Sequence, residues 1–160
     1  HQRCWVHKTA NVLNKVAISV QVNMKTDLRE IYGALTRAAA EVAIDVFAYK
    51  YGAKYDKAVA CLTKDRETLL AFFDFPAEHW DHLRTSNPIE SVFATVRHRT
   101  VRTKGALSAE TAKLMVFKLV NAAAKTWRRL NGENQLPKVV QGVKFQNGIE
   151  VTEMSAHHAA

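Results

Sequence analysis

RTSNPIESVFATVRHRTVRTKG, residues Arg84 to Gly105, contains one carboxylate, Glu90, followed by Arg97, Arg99, Arg102 and Lys104 with no acid among them. Asn87-Pro88 reads as a helix start, because Asn is a favoured N-cap and Pro is tolerated at the first helical position. Glu90 then falls three residues after the cap, where the helix dipole favours negative charge. Two readings of Glu90 stand side by side. Asn87-x-x-Glu90 resembles a capping box, in which the acid reaches back to the cap amide. The same carboxylate could instead hold a divalent ion, since hard cations such as Mg²⁺ take oxygen ligands, usually one or two carboxylates plus substrate phosphate. Arg97 projects from roughly the same face as Glu90, two turns on. Cations at a helix C-terminus offset its dipole, which accounts for one or two of the four charges. A run of four points further, to phosphate, whose geometry guanidinium groups match bidentately. Such contacts position DNA or RNA without reading its sequence.

The charge of this stretch is shared by the whole chain. Its 160 residues carry a formal net charge of +8, with a pI near 9.7. That balance favours an acidic partner, most often nucleic acid and less often an anionic membrane surface. Apolar residues make up 48% of the sequence, enough to bury a core the size of one domain. No apolar run approaches the ~20 residues of a transmembrane helix, and no signal peptide is visible. Two cysteines, Cys4 and Cys61, are too few for a disulfide framework and fit a reducing cytosol. The first residues read as ordered structure without an initiating Met, so the chain reads as a piece of a longer protein.

Before the basic stretch the signals are almost all helical. Gln2 to His7 suits a short β-strand, followed by a helix-prone segment from Thr9 to Val16, and Val22 to Tyr32 reads as a helix. Thr36 is a good N-cap for the next one, in which Ala40, Ala43, Ile44, Phe47 and Tyr51 recur at helical spacing, and Gly52 can end it in the left-handed conformation. Tyr55, Ala58, Val59 and Leu62 repeat the pattern, and Leu69, Leu70 and Phe73 continue it. Pro76 opens a short helix carrying Trp80 and Leu83. No period-2 pattern convinces between Thr9 and Trp80. After the stretch, Ser108 caps a long helix with an apolar stripe from Ala112 to Leu130 that includes Trp127, ended by Gly132. Asn147-Gly148 between Val143-Lys144-Phe145 and Ile149-Glu150-Val151 is a strong hairpin signal. The tail, including His157 and His158, reads as disordered and inert.

Other constellations are weaker. Cys4-x-x-His7 and His79-x-x-His82 have zinc-ligand spacing. A strand over Gln2 to His7 would point Cys4 and His7 to opposite faces, against shared ligation. Phe72, Phe73, Phe75, Trp80 and Trp127 read as core rather than as a base-stacking platform. No nucleophile elbow, Walker loop or Rossmann glycine pattern is present.

At this point the blocks meet a known family. RCWVHKTANVLNKV (Arg3 to Val16), FPAEHW (Phe75 to Trp80), the Arg84 to Gly105 stretch, and MVFKLVNAAAKTWRRLNG (Met115 to Gly132) resemble, in order, the C-terminal part of the catalytic region of Mutator-type transposases of bacterial insertion sequences. The resemblance runs from about Arg3 to Val151. It implies a mainly helical piece of a ribonuclease-H-like α/β domain, whose Asp-Asp-Glu triad is interrupted by an all-helical insertion between the second Asp and the Glu. Residues 1–19 would end the core segment with a strand and a helix, and 20–83 would be the insertion. The catalytic-Glu helix and the long helix would occupy 84–132, and 133–160 a C-terminal extension with the hairpin. Cys4 and His7 match the family's Cys-x-x-His signature. Glu90 matches the triad Glu in the context Asn87-Pro88-Ile89-Glu90.

The resemblance further implies DNA, at the element's ends and its target, as partner, self-association as a dimer or higher, and a bacterial cytoplasmic, nucleoid-associated setting. Glu90 would be catalytic as a ligand of Mg²⁺ (or Mn²⁺), with Arg97, Arg99, Arg102 and Lys104 on the flanking DNA backbone. Both catalytic Asp residues lie upstream of the Cys-x-x-His signature in the family. None of Asp27, Asp45, Asp56, Asp65, Asp74 or Asp81 matches them, and Ala17-Ile18 stands where relatives tend to have Pro-Lys. The expectation is therefore that this chain alone is inactive. Two other classes compete: a non-catalytic nucleic-acid-binding helical module, and an interaction domain whose charge only keeps it soluble.

Overall fold

In a computed structural model, which describes residues 1–102, 104 and 108–152 (the backbone alone at Asn87 and Pro88), the chain is mainly helical, as expected. It divides into two compact units, His1–Thr85 with Asn131–Ala160, and Ser86–Leu130. Gly105 and the tail histidines lie outside the described residues.

The first unit corrects the amino-terminal expectation. Gln2 to His7 does not form a strand: helix α1 spans Trp5–Leu13. Trp5, Lys8 and Val12 are its buried residues, at offsets of three and four that share one helix face and that a strand would split between two. The backbone entering it is tied to carbonyls of short helices and their ends, Arg3 N–H to Thr68 at 2.8 Å and Trp5 N–H to Arg84 at 2.8 Å, and not to a strand.

Helices α2 (Ile18–Gly33), α3 (Arg37–Gly52) and α4 (Asp56–Thr63) pack with α1 around one core that includes Met24, Leu28, Ile31, Ile44, Phe47 and Leu62. The caps are local. Thr36 Oγ1 accepts from the Ala39 N–H at 3.2 Å, as its position predicts. The same helix end is capped again from far away, where the Asn147 side-chain oxygen accepts from the Arg37 N–H at 2.8 Å. Gly52 does not take the left-handed conformation expected of it; α3 leaves through Ala53 at φ −64, and the Tyr55 N–H returns to the Tyr51 carbonyl at 2.8 Å.

Helix α5 (Arg66–Leu70), the 3-10 turns Ala71–Asp74 and Ala77–His79, and α6 (Trp80–Leu83) complete the helical part. Phe72 and Phe73 are fully buried, with Trp80 edge-on to both at 5.3 and 4.9 Å between ring centres. Those rings are core, not a stacking platform. Lys8, also buried, reaches the Cys61 carbonyl at 2.8 Å and pairs with Asp65, whose other oxygen meets Arg3 at 3.4 Å. The Lys8 ammonium, first through that hydrogen bond, holds the Asp65 carboxyl below its usual range.

The Asn131–Ala160 segment, described to Thr152, folds back onto these turns. It carries the 3-10 turn Glu133–Gln135, helix α9 (Leu136–Val140) and an antiparallel hairpin, β1 (Phe145–Gln146) with β2 (Ile149–Glu150), so the Asn-Gly signal holds. Asn147 and Gly148 both have positive φ, 51 and 82, the pairing that a tight two-residue hairpin turn demands. Gly148 docks its backbone on Phe73 and Ala77, where an added Cβ would lie 2.6 Å from the Ala77 Cβ.

The second unit is α7 (Asn87–Arg102) and α8 (Ala109–Ala124), packed on each other. Ser108 caps α8 as expected, accepting from the Thr111 N–H at 3.1 Å. The helix stops at Ala124, short of the expected Gly132. The Thr126 hydroxyl takes the Ala123 carbonyl at 2.9 Å, which is how β-hydroxyl side chains compete with the helical ladder. Trp127 therefore lies beyond the helix and is 55% exposed, not core. No described residue of this unit is buried; Val92, Val96, Met115 and Leu119 are half-buried.

Candidate metal ligand and nucleic-acid interface

The site residues are best built from the start of α7. The helix includes Asn87, and the Glu90 N–H donates to the Ser86 carbonyl at 3.0 Å. Ser86 therefore holds the cap position, one residue before the expected Asn87. Pro88 moves to the second helical position, still inside the turn that has no donor to lose. Glu90 moves out of capping-box register, since that motif places the acid three residues after the cap. Its carboxylate accepts instead from the Ser86 hydroxyl. Glu90 is exposed, so a hard oxygen donor stands at the surface near a helix N-terminus.

Around α7 the cations are distributed, not aligned. At about 100° per residue, Arg97 lies within ~20° of Glu90, whereas Arg102 is ~120° away and Arg99 ~180°. Arg97, Arg99 and Arg102 are all exposed. Lys104 follows in a turn closed by its N–H to the Val101 carbonyl at 3.2 Å, with φ 53. Arg97 thus shares the Glu90 side as expected, and Arg99 and Arg102, still within α7, complete a collar around its C-terminal turns, with Lys104 just past the helix end. Beyond the four expected positions, Lys113, Lys118, Lys125, Arg128 and Arg129 add to the same unit. Residues 86–130 hold nine Lys and Arg against two acids, Glu90 and Glu110, and so +7 of the chain's +8. Composition read over the whole chain hides that concentration.

Glu90 and Glu110 being the only acids there, Glu90 suits one ligand position of a hard divalent ion but does not make a site within this unit.

In the first unit, the signature residues come together once α1 replaces the strand. Cys4 precedes the helix and His7 sits in its first turn, with the thiol sulfur and a ring nitrogen within 4.8 Å. The opposite-faces argument against their acting together falls with the strand. His79 and His82 have other work. His79 Nε2 pairs with the Gly132 carbonyl at 2.9 Å, and His82 Nε2 accepts the Asn131 N–H at 3.1 Å. They hold the returning segment rather than serving as a ligand pair. Gly132 is fixed there by φ 67, with room for no Cβ against Glu78.

Comparison with known proteins agrees with the block pattern. Residues 1–129 match the family model described as transposase, Mutator family. The chain is 53% identical over 148 residues to the transposase for insertion sequence element IST2 of Acidithiobacillus ferrooxidans, covering 92% of this chain and 50% of that protein. It is 47% identical over 147 residues to the transposase for insertion sequence element IS6120 of Mycolicibacterium smegmatis, covering 92% and 46%. A probable insertion-sequence transposase of Corynebacterium diphtheriae is 32% identical over 152 residues, covering 94% and 44%. The chain thus spans about half the length of the curated relatives it matches.

Proposed function

The chain belongs to the Mutator family of transposases, and we propose that it supplies the Glu-bearing part of a catalytic region that cuts and joins DNA strands during transposition of an insertion sequence. The observation that carries this reading is the make-up of residues 86–130: two acids alone, exposed Glu90 near the start of α7 and Glu110 near that of α8, in a unit that holds almost the entire net charge of the protein. In this reading Glu90 is catalytic as a metal ligand. It holds Mg²⁺ or Mn²⁺ together with two Asp carboxylates from the part of the protein outside this chain, in a ribonuclease-H-like core interrupted by residues 20–83. Divalent ions in such a site activate the attacking oxygen and stabilise the leaving one.

The remaining tasks fall to side chains of this chain. Ser86, donating to the Glu90 carboxylate, orients it. Arg97, on the same side of α7 as Glu90 and two turns on, takes a phosphate of the strand being cut. Arg99, Arg102 and Lys104 hold the flanking backbone, which fixes the strand without reading its sequence. The active assembly is a dimer or larger, working on nucleoid DNA in the bacterial cytoplasm, where Cys4 and Cys61 stay reduced. No helix among the described residues is long and apolar enough to cross a membrane.

The test uses a protein of the relatives' full length carrying this sequence. Glu90→Gln is expected to abolish Mg²⁺-dependent strand cleavage and joining while leaving DNA affinity nearly unchanged. Activity surviving in Glu90→Gln would sink the catalytic assignment. The 160-residue chain by itself is expected to bind duplex DNA and not to cut it, because one carboxylate does not hold two metals. Robust cleavage by the chain alone would place the active site elsewhere.

A further inference from the structure

Helix α3 is apolar on two faces. Ala40, Ile44, Phe47 and Tyr51 are its buried face. On the other, Ala39, Val42, Val46 and Tyr49 recur at spacings of 3, 4 and 3 within the helix, and Leu35 before the Thr36 cap and Ala53 at the C-cap flank them. All six are exposed, Leu35 to 83%, Val42 to 61%, Val46 to 58% and Tyr49 to 92%. A helix that is apolar all round is normally buried. Strict alternation of threes and fours is the heptad spacing that keeps one seam turned toward a partner helix.

We propose that this seam pairs α3 with α3 of a second copy of the chain, side by side and parallel. Three features select that occupant. In heptad terms Ala39 and Val46 take the a positions and Val42 and Tyr49 the d positions. The β-branched Val46 at a favours two-stranded pairing, and the small Ala39 lets the helices approach. Asp45 then falls at g and Lys50 at the e position five residues on, so parallel pairing sets each Asp45 against the other copy's Lys50, twice by symmetry. Antiparallel pairing matches g with g and e with e, like charge against like. Asp45 is bonded to Arg66 at 2.7 Å and Lys50 to Asp27 at 2.7 Å, yet their side chains stay 65% and 51% exposed, so a contact across the seam extends existing ion pairs. Finally, the seam lies on the unit that carries only +1 of the chain's +8, so two copies meet there against little repulsion.

A seam of about two heptads is short, below the roughly 1,200 Å² of a stable interface, and gives a weak, reversible dimer. The proposal names the surface of the self-association in the functional reading and rests on that reading only for its purpose. Its test contains no DNA and no metal, so the two fail separately.

Sedimentation equilibrium on the 160-residue chain is expected to show monomer–dimer exchange. Val46→Lys and Tyr49→Lys should each weaken dimerisation roughly tenfold or more, at unchanged far-UV helicity. Ile18→Lys, on an 84% exposed site away from the seam, should change nothing. Ala39→Cys, near one end of α3, should oxidise to a disulfide-linked dimer well beyond the wild-type level, which parallel pairing permits and antiparallel pairing does not. A chain that stays monomeric throughout, a dimer indifferent to both lysines, or no added cross-linking at Ala39→Cys overturns the proposal. Association that appears only with DNA or with the remainder of the longer protein also overturns it, and assigns the seam to that occupant.

Discussion

Phe73 and Phe93 mark the difference between the two units. Phe73 is fully buried, in ring contact with Phe72 and Trp80, in a unit whose charges nearly cancel. Phe93 is 65% exposed in a unit of 45 residues that carries +7 and has no buried residue among those described. Stability and charge have been placed in different parts of one chain. Apolar burial is the main favourable term in folding, and concentrated like charge opposes compaction. The first unit thus reads as the scaffold and the second as the part shaped to meet something else.

Substitutions in the first unit should therefore dominate stability. Phe73→Ala is expected to cost about 3–5 kcal/mol, the usual range for truncating a buried aromatic. Urea denaturation followed by far-UV circular dichroism measures it, and a cost below ~1 kcal/mol would mean that the core is not where it is placed here.

Asp65→Asn comes next. It leaves Lys8 buried and without its carboxylate, and breaking such a pair costs about 3–5 kcal/mol in favourable cases, less here because Asp65 keeps some solvent and Lys8 keeps the Cys61 carbonyl. The pH dependence gives a separate signature. The folded-state pKa of Asp65 is lowered, so its contribution is present above the unfolded value of about 3.9 and is lost as pH falls through the folded one. Wild type should lose stability below about pH 4 more steeply than Asp65→Asn, and the gap between them should narrow. Parallel curves from pH 7 down to 2 would remove Asp65 from the account.

Gly148→Ala should follow, at about 1–3 kcal/mol, because it adds a Cβ at φ 82 and against Ala77. If this variant unfolds reversibly at the wild-type midpoint, the hairpin is not seated on the first unit as described.

How much of this contrast a reader of the sequence could see depends on the range of the interaction. Thr36 and Ser108 cap their own helices and Asn147-Gly148 turns its own hairpin, and each of these local tasks is what its local chemistry says. The helical middle was legible for the same reason, since the spacing of Ile44, Phe47 and Tyr51 is local. The six residues from Gln2 to His7 are too few to separate a period of two from one of 3.6, and the partners that decide it, Leu69 for the Trp5 indole and Asp65 for Lys8, lie more than fifty residues away. At Ser86 and Asn87 two good caps stand side by side, so the register of Glu90 was open by one residue. The outer stripe of α3 was written in the sequence as plainly as the inner one. A helix needs only one apolar face to fold, so the second stripe carries no information about the fold. The concentration of charge in 86–130 became visible only when the chain divided.

Electrostatic variants of the second unit should barely move stability and should move binding. Replacing Arg99 or Arg102 by Ala is expected to change unfolding free energy by under ~0.5 kcal/mol, as exposed substitutions do. Each should instead reduce the slope of log affinity for duplex DNA against log salt by ~0.9, the signature of one lost phosphate contact. Binding that is absent at low salt, or whose slope is the same in wild type and both variants, would leave the charge of this unit without the role assigned to it.

The smallest expected effect is the most discriminating. Phe93→Ala removes the same side chain as Phe73→Ala, from a site that stays largely in water, so its cost to folding of the 160-residue chain should be below ~0.5 kcal/mol. In a protein of the relatives' full length the same change should cost more, if the exposed face of Ile89, Phe93 and Phe117 is covered there. Measuring both separates two kinds of exposure. A ring exposed because nothing needs it would cost little in either protein. A ring exposed because its cover lies outside this chain would cost little in one and on the order of 2–3 kcal/mol in the other, the scale of burying a large apolar side chain. The second outcome would make the contrast between the units a property of the piece rather than of the whole.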